Sequence, residues 1–316
     1  MKIAVVGAGA VGCLLGAYLA RARHSVELIG RPELVSTVRE YGLRIVGPPE
    51  QVYRVDVRPR IEPEDMPDVV ILTVKTFDLA PASDALARAL PGPVPVLLPQ
   101  NGLGIERVAS DALAHGGWTS PSEWTVRAVH SVPATLVSPG VVREGGSGEI
   151  ILPDPAVAGR SAPRVGIFRD LLEGAGFSVR LAREFEREIW RKALLNAAVN
   201  PVTATLGVTN GALLRGPARD RALALLGEAR AAARAAGFVF SEEEATIDLD
   251  RVVQATATNR SSMLQDLDRG RTTEIDSISG EILRIASEHG VDLPATRKII
   301  DEVRRRSGVR DPRPQP

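Results

Sequence analysis

A single cysteine, Cys13, stands in 316 residues. One thiol closes no internal disulfide and builds no cysteine cluster for metal, so no metal site is expected and the composition fits a reducing compartment. Charge of one sign is lacking too, because 39 Lys and Arg meet 39 Asp and Glu. A balanced chain offers no electrostatic argument for nucleic acid. Long hydrophobic runs are missing: MKIAVVGAGAVG lacks the apolar region and cleavage site of a leader, and no later stretch approaches membrane-spanning length. A soluble, cytoplasmic protein with no membrane partner is expected. The four histidines are scattered, so none is assigned to catalysis, and His130 reads as structural.

Lysine is scarcer than the basic total suggests, being confined to Lys2, Lys75, Lys192 and Lys298. A bias toward arginine removes interchangeable lysines. Lys75 and Lys192, set in apolar surroundings, therefore become candidates for work that needs a releasable proton, which arginine lacks near neutral pH. Snorkelling from a core edge accounts for their positions equally well.

With 44% hydrophobic residues, the chain is long enough for two domains with proper cores. Over the first half, KIAVVG, SVELIG, DVVILTV and VPVLLP read as buried parallel strands. Helical periodicity at 10–22, 77–90 and 103–113 follows three of them, which is the rhythm of an α/β doubly wound sheet of Rossmann type. From Thr125 to Leu152, strands around SPG and EGGSGE predict extra antiparallel strands finishing that sheet, and a helix and strand near 163–180 close the domain.

Beyond Glu184 helix formers take over. Residues 217–236 predict an alanine-rich amphipathic helix, Ser241 with Glu244 a capping box, and Pro294 the start of the last helix. The expected organisation is a dinucleotide-binding domain at 1–183, an all-helical domain at 184–306 and a disordered proline-rich tail at 307–316. An apolar helical face serves a core or a homodimer equally well.

The first strand runs into GAGAVG, a GxGxxG at Gly7, Gly9 and Gly12, and a helical pattern begins at once. The first glycine permits a tight turn, the second lets backbone approach a pyrophosphate, and the third lets helix pack on strand. Backbone donors at Ala8, Ala10 and Val11 complete the cradle at the helix N-terminus. The second strand ends in Gly30 and Arg31 where an NAD-binding fold carries an acid for the ribose 2′-hydroxyl; Glu27 lies inside the strand. Arg31 suits a 2′-phosphate, so NADP(H) is expected over NAD(H). Lys75 in TVKTFD and Asn101 in QNGLG follow strand C-termini, where ligands bind in such sheets. Ordinary turn chemistry explains Asn101 before Gly102 just as well.

RKALLNAAVN places Lys192, Asn196 and Asn200 four residues apart, a narrow polar stripe on a helix otherwise covered by Leu194, Leu195, Ala197, Ala198 and Val199. Further on, SSMLQDLDRGRTTEIDSISGEI holds Ser262 before an arginine-rich turn. Glu274 there opens a helix with Ile275, Ile278, Ile282 and Leu283 on its buried side. A bland reading of Glu274 is a dipole-stabilising acid.

Together GAGAVG, LIGR, VKTFD, QNGLG, WRKALLNAAVNPVTA, TNGALL and SSMLQDLDRGRTTEID resemble the ketopantoate reductase family, in the same order, from residue 1 to about 305. The resemblance implies a Rossmann domain followed by a helical domain, with the site in the cleft between them, and NADPH-dependent reduction of 2-dehydropantoate to pantoate. It implies Lys192 as proton donor and Glu274 as its hydroxyl- and cofactor-side partner. Asn196, Asn200, Asn210 and Ser262 would hold the substrate, Asn101 would touch substrate and NADPH, Arg31 the 2′-phosphate, and Lys75 the cofactor. The set suits the chemistry: reducing a 2-oxo acid needs a proton for the forming alkoxide and neutral donors for the carboxylate. A partly desolvated lysine and amide or hydroxyl groups supply these.

Two departures stand out. Arg23 precedes His24 where the family usually has glycine, so the helix cap must differ. Residues 114–133 look unlike the family pattern, which puts the substrate's side-chain pocket in question. Two rivals follow: a related reductase of another small 2-oxo acid, and a catalytically silent NADP-binding sensor. A sensor needs the glycine loop but not the Lys, Asn, Ser and Glu set.

Overall fold

The computed structural model describes residues 1–47, 49–62 and 66–308. The chain divides into two compact units, Met1–Phe185 and Glu186 onward. The first begins β1 (Lys2–Val6), α1 (Ala10–Arg21), β2 (Ser25–Ile29), α2 (Pro32–Tyr41), β3 (Leu43–Val46), β4 (Gln51–Tyr53), β5 (Asp56–Arg58) and β6 (Val69–Leu72). It continues with α3 (Leu79–Ala89), β7 (Val96–Leu98), α4 (Ile105–His115), β8 (Thr125–Arg127), β9 (Val129–His130), β10 (Ala134–Ser138) and β11 (Val141–Glu144). β12 (Glu149–Pro153), α5 (Ala162–Gly174) and β13 (Ser178–Ala182) complete it.

The main sheet has six strands in the order β5-β2-β1-β6-β7-β8, all parallel. Its β-branched strands are buried on both sides because alternate residues feed different cores. Ile3, Val5, Val69, Ile71 and Leu97 pack with Leu14, Leu15 and Leu19 of α1 and Phe168 and Leu172 of α5. Their neighbours Ala4, Val70, Leu72, Val96 and Leu98 pack with Leu79 and Leu86 of α3 and Ile105 and Leu113 of α4. Burying each such aliphatic side chain contributes about 1.5–3 kcal/mol.

Several expectations are corrected. Of the strands after Thr125, only β8 joins the main sheet, and it does so parallel to β7. The rest build two smaller sheets, β10-β11-β3-β4 and β13-β12-β9. β8 is buried throughout although it ends the sheet, whereas β10 is half-buried to exposed and suits a sheet with one wet face. α2 and β3 to β5 were not expected. α2 is short and buries only Leu34, Val35 and Val38, and β4 and β5 have three residues each, too few for a period to show. At the end of α1, Arg23 takes φ 65°, so the backbone keeps the left-handed turn that glycine favours instead of a different cap.

The second unit is helical. It contains α6 (Phe185–Leu206), α7 (Gly216–Ala235), α8 (Glu242–Ala255), α9 (Ser262–Asp268), α10 (Glu281–Glu288) and α11 (Pro294–Arg306). Alanine and leucine at helical spacing, such as Ala222, Leu225, Leu226, Ala229 and Ala233 of α7, form its buried side. The capping box is half made: Ser241 Oγ accepts the Glu244 backbone N–H at 3.0 Å, but the Glu244 carboxylate takes Arg187 and Arg191 of α6 instead of reaching back. Of the expected disordered tail, Ser307 and Gly308 form the turn ending α11; residues 309–316 lie outside the described residues.

Candidate active site

The glycine loop joins β1 to α1. Gly7 has φ +105°, and a Cβ there would stand 2.5 Å from the Val74 nitrogen. At Gly12 a Cβ would meet the Gly7 carbonyl oxygen at 2.2 Å and Thr73 Oγ1 at 2.4 Å. The fold itself demands both glycines. Gly9 is different: its φ of −81° is open to any residue, and nothing lies within 4 Å of a Cβ built on it. With no side chain, Gly9 leaves the backbone open to close approach, the property a pyrophosphate-binding turn requires. No side chain caps α1 and no acid lies in its first turn, so the helix N-terminus presents its dipole to an anion. The residues present fit a dinucleotide.

Neighbouring strand ends complete this rim. Gly7 and Ala8 donate to the Ile29 carbonyl at 3.0 and 3.2 Å. A Cβ at Gly30 would press to 2.9 Å from the Ala8 Cβ, so the end of β2 closes against the loop and delivers Arg31, the exposed residue preceding α2. Glu27 is buried and ion-paired to Arg58 at 2.8 Å, a structural charge within the strand. Beyond β6, Val74 abuts Gly7, which brings half-buried Lys75 to the same edge. Asn101 is half-buried in the turn after β7, between Gln100, whose Nε2 donates to the Leu72 carbonyl at 2.7 Å, and Gly102 at φ +94°. β1, β6 and β7 are adjacent, so the structure brings Gly7–Gly12, Arg31, Lys75 and Asn101 to one end of the sheet.

Two contributors here escaped the sequence reading. Thr73 Oγ1 donates to the Gly7 carbonyl at 2.6 Å and fastens the loop from β6. Its one signal was its place at a strand C-terminus. Arg127, buried at the end of β8, binds the loop carrying Asn101. It carried no signal beyond lying in an unusual segment.

In the helical unit, Lys192 and Asn196 are half-buried along α6 and Asn200 is buried. Leu194, Ala197, Ala198 and Val199 are buried between them, and Leu195 is half-buried. Pro201 follows inside the helix; it cannot donate to Ala197, and Thr203 and Thr205 donate back to carbonyls three or four residues earlier. Proline and such back-bonding both bend helices. Thr203 Oγ1 lies 2.8 Å from Ser261 Oγ, which also accepts the Leu264 N–H as the cap of α9. This buried pair ties the Asn200 end of α6 to the first turn of α9, where Ser262 is exposed.

Asn210 is buried, its Nδ2 donating to Thr256 Oγ1 at 2.9 Å and its backbone N–H to the Asn259 carbonyl, while its Oδ1 is a buried acceptor without a hydrogen bond. Such an atom is costly unless a ligand or water donates to it. Glu274 is buried at 6% exposure, unlike a solvated dipole-stabilising acid. The helix it opens is also irregular: Asp276–Gly280 form a π-helix before α10, and Ile275, Ile278 and Ile282 are buried while Leu283 is half-buried. Single π-turns inside helices are rare and cluster at functional sites. Among the described residues, no group of three or more His, Cys, Asp or Glu is placed to hold a metal ion.

Residues 3–156 match the family model described as ketopantoate reductase PanE/ApbA, and residues 184–307 match the model of its C-terminal part. The chain is 33% identical over 311 residues to 2-dehydropantoate 2-reductase of Halobacterium salinarum, covering 96% of this chain and 98% of that one. It is 31% identical to the Archaeoglobus fulgidus protein of the same name, covering 96% and 97%. Among solved structures it resembles a PanE/ApbA family ketopantoate reductase from Ralstonia eutropha, with 29% identity, TM-score 0.84 and 98% and 99% coverage. It also resembles D-mandelate dehydrogenase in complex with NADH and anilino(oxo)acetate, with 25% identity, TM-score 0.89 and 98% of both chains covered.

Proposed function

Because this chain belongs to the ketopantoate reductase family of oxidoreductases, we propose that it reduces 2-dehydropantoate to pantoate with NADPH, for pantothenate and coenzyme A synthesis. Supporting the cofactor half is the turn Gly7–Gly12 at the N-terminus of α1, which has no side-chain cap and no acid in its first turn. Arg31, beside the loop with no acid at the strand end, favours the 2′-phosphate of NADPH. When bound, the reduced nicotinamide supplies the hydride that adds to C2 of the oxo acid.

The chain's own residues then have three tasks. Lys192 gives a proton to the oxygen that was the ketone, so that no alkoxide is released. Asn196, Asn200 and Ser262 hold the carboxylate and hydroxyl groups of the substrate through neutral hydrogen bonds, leaving the lysine's charge balance undisturbed. Glu274, withdrawn from solvent, orients the lysine and accepts a substrate hydroxyl, and the unsatisfied Oδ1 of Asn210 accepts another. Asn101 meets both substrate and coenzyme, and Lys75 meets the coenzyme. The observation that carries this reading is the row Lys192, Asn196 and Asn200 along one side of α6, with only Ala, Leu and Val between its members.

A second reading keeps the chemistry and changes the acid. Its support is the likeness to D-mandelate dehydrogenase in complex with NADH and anilino(oxo)acetate. The deciding experiment follows NADPH oxidation with 2-dehydropantoate and a panel of small 2-oxo acids, repeated with NADH. Selective turnover of 2-dehydropantoate with NADPH is the expected result; preference for another acid moves the assignment to the second reading. Lys192→Ala lowers turnover by about 10²- to 10⁴-fold while NADPH still binds. Arg31→Ala raises the KM for NADPH by about tenfold or more and leaves NADH use unchanged. Tight NADPH binding with no turnover of any acid by the wild-type protein would instead favour a sensor.

A further inference from the structure

We infer that Arg127 is a positioning residue for Asn101, acting through the loop that carries it. The inference rests on the reading above, in which Asn101 meets substrate and coenzyme.

Arg127 ends β8 with its side chain only 5% exposed. Nη1 donates to the carbonyl of Leu98, the last residue of β7, at 2.9 Å. Nη2 donates to the carbonyl of Gly102, the residue after Asn101, at 3.0 Å. Nε stands 3.5 Å from the carboxylate of Glu106 in the first turn of α4. One planar fork thus spans both sides of Asn101, from the strand before it to the helix after it.

The loop needs such an anchor because it has little regular structure of its own. Gly102 and Gly104 take φ of +94° and +69°, outside any strand ladder; the Gly104 carbonyl accepts the Val108 N–H of α4 at 3.2 Å, and the Gly102 carbonyl accepts from Arg127. Gln100 supplies one tie, toward β6 through the Leu72 carbonyl. Arg127 supplies the opposite one, toward β8. Asn101 lies between the two anchors, so the backbone that carries it is tied on both sides.

Stability alone does not call for this residue. The ion pair with Glu106 is solvent-screened, the Glu106 side chain being 39% exposed, and contributes little. A rigid guanidinium fixes the angle between two carbonyls in a way that a flexible ammonium does not.

The test is a double-mutant cycle in the full chain with Arg127→Met, Arg127→Lys, Asn101→Ala and the Met/Ala double variant. It is read in kcat, KM and NADPH affinity well below the melting temperature of the weakest variant. Arg127→Met is expected to lower kcat/KM by about tenfold or more, since small misplacements of a reacting group are that costly. Arg127→Lys is expected to recover only part of it. The double variant is expected to be no worse than Asn101→Ala by more than about twofold, because both changes act on one group. Losses that multiply, or a folded Arg127→Met with wild-type kcat and KM, overturn the inference. If the Met variant does not fold, the cycle is run with Arg127→Lys and judged by the same criterion. If wild-type protein turns over no 2-oxo acid, the function reading fails separately. The cycle is then judged in NADPH dissociation constants, where non-additivity upholds the positioning role and additivity overturns it.

Discussion

At the scale of single residues, the three glycines of one motif turn out to answer to different demands. Gly7 and Gly12 are required by neighbouring backbone, whereas Gly9 faces open space with an unstrained φ. Gly9→Ala is therefore expected to change stability by less than about 1 kcal/mol while weakening NADPH binding by at least tenfold. Gly12→Ala is expected to lower the melting temperature first, because its methyl group would overlap the Gly7 carbonyl. Thermal melts beside fluorescence titrations with NADPH separate the two. Equal loss of stability in both variants would mean that Gly9 serves the fold as well. The motif was legible in the sequence, but this division of labour was not. It depends on Thr73 and Val74, more than sixty residues away in the chain.

Elements are held by side chains whose importance is visible only once helices are adjacent. Arg187 binds both Glu244 oxygens, at 2.7 and 2.8 Å, and Arg191 binds one at 2.8 Å, joining α6 to α8. Burial pushes the Glu244 pKa up, but the hydrogen bonds and charges of the two arginines outweigh it and hold the group below its ordinary 4.5. A carboxyl with a depressed folded pKa contributes stability that is present above its unfolded value and lost as pH falls through the folded one. The melting temperature should accordingly decline below about pH 4.5 in part through this group. Glu244→Gln should be less stable than wild type at neutral pH, with a gap that narrows in acid. A gap independent of pH would assign the loss to packing. The capping signature read from Ser241 and Glu244 was half right for the same reason: Ser241 acts locally, while Glu244 answers to a distant helix. Ser261 and Ser262 likewise answer to different demands. The sequence singled out Ser262, yet Ser261 is the buried cap bound to Thr203, and nothing local distinguishes one serine from the next.

On the scale of the whole molecule, each unit has its own apolar interior, and the glycine loop belongs wholly to the first. NADPH binding there is expected to raise the free energy of unfolding by about 2.7 kcal/mol at a concentration one hundred times its dissociation constant. Calorimetry across a series of NADPH concentrations measures this. A melting temperature indifferent to NADPH would contradict coenzyme binding at the loop.

What the sequence determined by itself was everything that local periodicity and local chemistry encode. Strand, glycine turn and helix follow one another within twenty residues, and the row Lys192, Asn196 and Asn200 follows from the helical repeat. The two-part organisation followed from a change of pattern near Glu184. Tertiary structure alone decided which strands share a sheet, that Glu274 is buried beside a π-turn, and that Glu27 is held by Arg58. It also decided that Thr73 and Arg127 brace the loops of the site. These are pairings between residues tens of positions apart, and their energies depend on burial and on the angle at which two groups meet. Neither is written in the spacing of residues along one stretch of chain.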